Sequence, residues 1–161
     1  MFSGKIEGGL ALNRRIHALH VMFPEVLRQA NETTAFDVAS TAKQHIREND
    51  SIASGDLLRS IESKIAPDGL TVAVGSTSEH APFVEFGTRP HWPPLDAIRR
   101  WCILKGIPVA AAYPIARKIS EVGTPEQPFL YPAAKEAGAR HLARVKIMLN
   151  AAVQVIVRGA K

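Results

Sequence analysis

At Ile61 the apolar residues of this chain change period, and that change limits the folds open to it. Ile61, Ser63 and Ile65 alternate with Glu62 and Lys64. Pro67-Asp68-Gly69 then makes a turn, and Leu70, Val72 and Val74 alternate with Thr71 and Ala73. Period two puts successive side chains on opposite faces of a strand, so this is an antiparallel hairpin with one buried face. Upstream the period is helical. Leu12, Ile16, Leu19 and Phe23 lie three and four apart, the stripe of an amphipathic helix. Pro24 follows, and because proline suits a first turn it predicts a bend, with a second helix running to about His45 or Arg47. That helix has a weak stripe of Leu27, Ala30, Thr34, Val38, Ala42 and Ile46, which implies loose packing on the sheet or on another subunit.

Between these parts, Ser54-Gly55-Asp56-Leu57-Leu58-Arg59-Ser60-Ile61 reads as a capped single turn feeding a strand, with Ser54 as the N-cap, its hydroxyl accepting from a backbone N–H two or three residues on. After the hairpin, Ala81 to Phe86 suggests a third strand, with Phe83 and Glu85 on one face and Val84 and Phe86 on the other. Arg89-Pro90-His91-Trp92-Pro93-Pro94 has too few N–H donors for a ladder and leaves as a loop. Two short helices follow, one opening at Pro94 and closing at Gly106, the other running from Pro114 to Val122 before Gly123. Phe129-Leu130-Tyr131 has strand character, and Pro132 opens a last helix whose Val145–Val157 portion is apolar on more than one face. Burial of such a helix calls for a neighbouring subunit. The expected fold is α+β: an antiparallel β-sheet packed by a long N-terminal helical segment and a C-terminal helix, with a two-helix insertion. It forms a single domain over 1–161, divided into a helical part at 10–47, a sheet core at 54–88, the insertion at 94–123, and a closing strand and helix at 128–157.

Hydrophobic content of 46% is that of a globular chain, and the 6% aromatic content leaves alanine to supply close helix contacts. The net charge of +5 is spread along the chain without a dense Lys/Arg block, the pattern of a solvated face. Cys102 is the only cysteine, so an internal disulfide and a Cys-rich zinc site are excluded; its apolar neighbours favour a small buried side chain over a nucleophile. No secretory signal is visible and no apolar run approaches the roughly 20 residues of a membrane span, so a soluble protein of a reducing compartment is expected.

The chemistry offered by the sequence is thin. His17 and His20 share a helical face, but no His-Glu-x-x-His arrangement accompanies them. Ser60, His80 and Glu85 have the residue types of a hydrolytic triad without a Gly-x-Ser-x-Gly elbow. Isolated Gly75 and Gly87 fit turns or bulges, not a phosphate cradle. Trp92 and Trp101 are not interleaved with basic residues as a single-strand binding surface requires. No catalytic, metal or cofactor residue is assigned. Glu85 stands out: if buried, it needs a cationic or N–H partner, with Arg59 and Arg89 as candidates; the alternative is a half-exposed sheet residue.

Three separated segments carry a family resemblance. Ser54-Gly55-Asp56-Leu57-Leu58-Arg59-Ser60-Ile61 resembles the Thr/Ser-Gly-x-Leu-x-x-Ser-Ile entry of the tailed-bacteriophage tail-completion or head-tail joining proteins. Val74-Gly75-Ser76 through Val84-Glu85-Phe86-Gly87-Thr88 is similar to that family's Val-Gly-Ser and Tyr-Ala-x-x-Val-Glu-Phe-Gly-Thr core, with His80 where tyrosine is usual. Pro128-Phe129-Leu130-Tyr131-Pro132-Ala133 matches its Pro-Phe-Leu-x-Pro-Ala closing motif. The resemblance covers about 54–137, and the flanking helices agree in type but not in motif.

The resemblance implies a non-enzymatic virion part, at the head-tail junction or the head-proximal tail end, working as a homo-oligomeric ring beside other neck and tail proteins. It implies no cofactor and no membrane. Direct DNA contact has no support, though a basic nucleic-acid-binding module is the rival function. Arg59, Glu85, Gly87 and Thr88 are the structural or interface candidates of the core motifs; Arg89, Trp92, Phe129 and Pro132 are those of the loop and closing motif.

Overall fold

A computed structural model describes residues 9–49 and 54–158. Its elements are α1 (Gly9–Glu48), the one-turn α2 (Asp56–Arg59), β1 (Ile61–Ile65), β2 (Val72–Ser76), α3 (Ala81–Phe86), α4 (Leu95–Leu104), α5 (Ala112–Val122) and α6 (Leu130–Arg158), with a short 3-10 turn at Val109–Ala111. The α+β class and the long terminal helices agree with the sequence-based expectation.

The framework is an antiparallel pair of long helices. Thr34 Oγ1 meets His141 Nδ1 at 2.9 Å, Asp37 pairs with Arg144, and His45 Nε2 lies 3.4 Å from Glu136 Oε1. From Thr34 and Asp37 on to His45 the partners on α6 pass from His141 and Arg144 back to Glu136, so the two helices run in opposite directions. Small residues make the contact close: Ala30, Ala42, Ala133 and Ala137 are fully buried. Val38 and Ile46 of α1, Ile61 of β1, Ala81 of α3 and Phe129 complete the core beside them. Alanine costs no side-chain entropy on burial, so a seam rich in it loses little by ordering. Ile46 is the large α1 side chain sealed in this core, at 0% exposure. Ile46→Ala is therefore expected to cost about 2–5 kcal/mol, measured as a shift of the urea midpoint at unchanged m-value.

The hairpin forms in the expected place, with Ile61 opposite Ser76 and Ile65 opposite Val72. Ala66 donates to Thr71 O at 2.9 Å, and Gly69 turns at a φ of 70° against the Arg28 side chain. Its buried face is narrower than expected: Ile61 is buried, while Ile65 is 38% exposed. The sheet has two strands, and packing of β1 and β2 on α1 covers one side.

Several sequence expectations are corrected. Pro24 does not break the N-terminal helix; it lies inside α1. An interior proline removes one hydrogen bond and crowds the carbonyl four residues back, here His20, at a cost of about 3 kcal/mol. The apolar seam stays in register across it as Leu19, Phe23, Val26 and Ala30, so burial of Val26 and Ala30 holds the helix on its course. Val26, not Leu27, takes the inner position.

The segment Ala81–Phe86 is a helix, not a third strand. Pro82 in its first turn and Gly87 after its last residue are start and stop signals, and they outweigh an alternation only four residues long. Likewise Leu130 and Tyr131 open α6 in place of a closing strand. Gly55, not Ser54, holds the N-cap position of α2, although the Ser54 hydroxyl does accept from Asp56 N at 3.4 Å, two residues on, and also donates to the Asp56 carboxylate.

The two insertion helices pack on each other, burying Cys102, Ala112 and Ala116. Cys102 is the small buried side chain that its apolar neighbours predicted.

Candidate functional site

Glu85 projects from the last turn of α3 and is 7% exposed. It meets neither Arg59 nor Arg89. Its Oε2 accepts from Phe129 N at 2.8 Å and Leu130 N at 2.9 Å, and its Oε1 accepts from Tyr131 N at 2.8 Å. A helix begins with four backbone N–H groups that have no intrahelical acceptor. In α6 these belong to Phe129, Leu130, Tyr131 and residue 132. The first three are bound by one carboxylate from a segment 44 residues away in sequence. The fourth does not exist, because residue 132 is proline. The start of α6 is fully satisfied although Phe129 is sealed in the core, and the carboxylate's charge faces the positive end of the helix dipole.

A second device fastens the base of the insertion. Thr88 N donates to Thr124 O at 3.1 Å, Thr124 N donates to Thr88 O at 3.3 Å, and the two hydroxyls lie 3.0 Å apart. Gly87 and Gly123 flank this bridge with φ of 67° and 77°. A Cβ at Gly87 would stand 2.5 Å from Thr124 O, and one at Gly123 would stand 2.0 Å from Thr88 O. Both positions need glycine for conformation and for space. Gln127 N donates to Val84 O at 2.8 Å, so α3, the clasp and the start of α6 are tied together. Gly87 and Thr88 were visible as motif residues. Gly123 and Thr124 were missed, since their significance depends on a partner 36 residues away.

The remaining candidates are dispersed. Arg59 pairs with Asp56 at 2.5 Å on the surface, where the neighbouring Ser54 hydroxyl and this guanidinium hold the Asp56 carboxyl below its usual range. Trp92 is half exposed and stacks edge-to-face on Tyr113 at 5.9 Å between ring centroids, tying the Arg89–Pro94 loop to α5. Ser60 Oγ donates to Leu57 O at 2.7 Å and lies 2.6 Å from Ser76 Oγ. With Ser60 engaged there and Glu85 on the α6 backbone, these two residues form no relay with His80.

Two grooves flank the Glu85 cap. One, of about 610 Å³, lies between α1, β2, α3 and α6, with walls that include Val38, Val74, Phe86 and Leu130. The other, of about 1250 Å³, lies between α3 and the insertion and combines Phe83, Trp101 and Ile119 with Arg89, His80 and His91. Large apolar side chains stay exposed elsewhere: Leu12, Ile16 and Phe36 on α1, and Leu142, Ile147 and Val155 on α6. Among the described residues, no helix is long and apolar enough to cross a membrane.

Residues 11–87 match the family model described as "Bacteriophage HK97-gp10, putative tail-component". The matched stretch holds α1, the hairpin and α3 and ends at Gly87, the point where the insertion begins. The insertion and α6, with its closing motif, lie outside it. No curated protein and no solved structure matches the chain significantly.

Proposed function

We propose, from the match of residues 11–87 to this phage tail-component family model, that the protein is a structural part of a tailed-phage virion. In this proposal it sits at the head-tail junction or the head-proximal end of the tail. It acts by docking and ring-like self-association, without catalysis, in contact with other neck and tail proteins. The family match carries the proposal. Two features of the molecule support it. The most deeply placed carboxylate, Glu85, is committed to the backbone of α6 and not to a reacting group. The last helix leaves Leu142, Ile147 and Val155 between 65% and 77% exposed, more apolar surface than a lone monomer gains from presenting to water.

A closed ring needs a heterologous interface, with two different patches on each subunit. One patch is assigned to the exposed face of α6. The other is assigned to the sheet edge with the Arg89–Pro94 loop, in which Trp92 is braced by Tyr113. The full-length protein is expected to sediment as an oligomer, and electron microscopy with tail proteins is expected to show rings. A monodisperse monomer at high concentration, with no ring beside tail proteins, refutes this. Steep salt-dependent binding to DNA fragments in place of assembly favours a basic nucleic-acid-binding module, since phosphate contacts are lost as salt rises.

A further inference from the structure

Because Ala81–Phe86 coils, the β1–β2 hairpin keeps a free edge along β2. Thr77 N donates to Ser60 O and Ala66 N donates to Thr71 O at the two ends of the pair, and bonded and non-bonded partners alternate along an antiparallel ladder. With Ile61 opposite Ser76 and Ile65 opposite Val72, the bonds between the strands fall on Glu62–Gly75 and Lys64–Ala73. The N–H and C=O groups of Val72, Val74 and Ser76 point the other way, off the edge, and among the described residues they have no hydrogen-bond partner. That edge opens into the groove of about 610 Å³ between α1, β2, α3 and α6. Among the described residues the sheet lines this groove with Val72, Val74 and Ser76 and with nothing from β1, so the groove lies beyond the β2 edge and not beneath the sheet. Across it stands α3, the segment in which the sequence pattern places a third strand.

We infer that the β2 edge is a docking site for an extended segment of a different protein, which adds to the hairpin as its third strand. A row of unpaired N–H and C=O groups is a template for a strand, and strand addition draws its affinity from that main-chain pairing. The walls define the side chains. Ala35 and Val38 of α1 and Leu130 and Ala134 of α6 present apolar surface to the groove. Its described lining holds no Lys, Arg or His, and its carboxylate, Glu85, is engaged by three backbone N–H groups. The occupant is therefore apolar at every second residue and uncharged on that face. Among its described residues this chain has no such segment to give. Its two strands pair with each other and are backed by α1. The irregular runs 89–94 and 124–128 hold three and two prolines, which supply no N–H to a ladder. The ring-like contact proposed above is left the other edge of the sheet, on β1, so strand addition at β2 does not depend on it.

Amide exchange of the full chain, read by NMR with the peptide Thr-Val-Thr-Val-Thr-Val-Thr as probe, tests this. In the free protein the amides of Val72, Val74 and Ser76 are expected to exchange fast while those of Ala73 and Gly75 are protected, and saturating peptide is expected to protect the first three. Protection of those three without peptide means that this chain fills its own edge, within one copy or between copies, and overturns the inference. Failure of the peptide to bind at about 1 mM also overturns it. An antiparallel or parallel strand turns the N–H groups of alternate residues toward one edge, so peptides N-methylated at the valines or at the threonines separate main-chain pairing from apolar contact. One form is expected to bind about tenfold or more weaker than the other; equal affinity overturns the inference. Val72→Pro removes an outward N–H at the first residue of β2, a place where an edge strand accepts proline, and leaves the bonds to β1 intact. It is expected to keep the circular dichroism spectrum and to weaken peptide binding about tenfold. Undiminished binding refutes strand addition, and if the variant does not fold the two N-methylated peptides decide on the parent protein.

Discussion

Glu85→Ala is expected to lower the unfolding free energy by about 3–5 kcal/mol, the largest loss expected from removing a polar side chain among the described residues. The substitution deletes one acceptor group but strands three donors. Phe129 N, Leu130 N and Tyr131 N each lose an acceptor at 2.8 to 2.9 Å. Phe129 is 1% exposed, so water reaches its amide poorly, and a buried donor without a partner costs roughly 1–3 kcal/mol. Glu85→Gln keeps the shape and one carbonyl acceptor, but it turns an amide NH₂ toward a backbone N–H and loses the charge. It is expected to cost about half as much, roughly 1.5–2.5 kcal/mol. Urea denaturation of both variants measures the difference. Amide exchange at 129–131 supplies the local check: protected in the parent protein, fast in Glu85→Ala. Equal tolerance of both substitutions refutes the capping role.

Gly123→Ala is expected to cost about 3–5 kcal/mol and to act on the insertion first. Its φ of 77° is costly for any residue with a Cβ, and the added carbon would sit 2.0 Å from Thr88 O. The strand-like bridge between Thr88 and Thr124 must separate to admit it. Opening the bridge frees α4 and α5 from their base, so limited proteolysis is expected to cut between 88 and 124 before the α1–α6 pair unfolds. Gly106→Ala is the control. Gly106 also has a positive φ, 68°, but nothing lies within 4 Å of its missing Cβ. It is expected to carry the conformational cost of about 1–2 kcal/mol alone. If the two substitutions weaken the protein equally, the close approach at the clasp is not what holds the insertion.

The capping geometry also explains why the family-like motifs lie where they do. A carboxylate at Glu85 and a proline at Pro132 look unrelated in the sequence, one in a core motif and the other in a closing motif. In the fold they complete one task, three donors accepted and the fourth removed, at the N-terminus of α6. Glu85 pairs with neither Arg59, from the turn before β1, nor Arg89, just beyond Thr88; its partner is a helix end brought in by the tertiary fold.

Local chemistry was enough to determine the hairpin and its turn, the helical nature of 10–47, the two insertion helices and the burial of Cys102, because period and punctuation act over a few residues. It was also enough to single out Glu85 and to require a donor for it if buried. Only the tertiary structure decided the rest. Packing of Val26 and Ala30 on α6 outweighs the break that Pro24 favours locally. The need of α6 for an acceptor is met when Ala81–Phe86 coils, and Pro82 and Gly87 permit it. The Thr88–Thr124 bridge sets Gly123 against a carbonyl that no local pattern could place. Each of these outcomes depends on groups tens of residues apart, whose energies exceed the one or two kcal/mol by which local preferences differ.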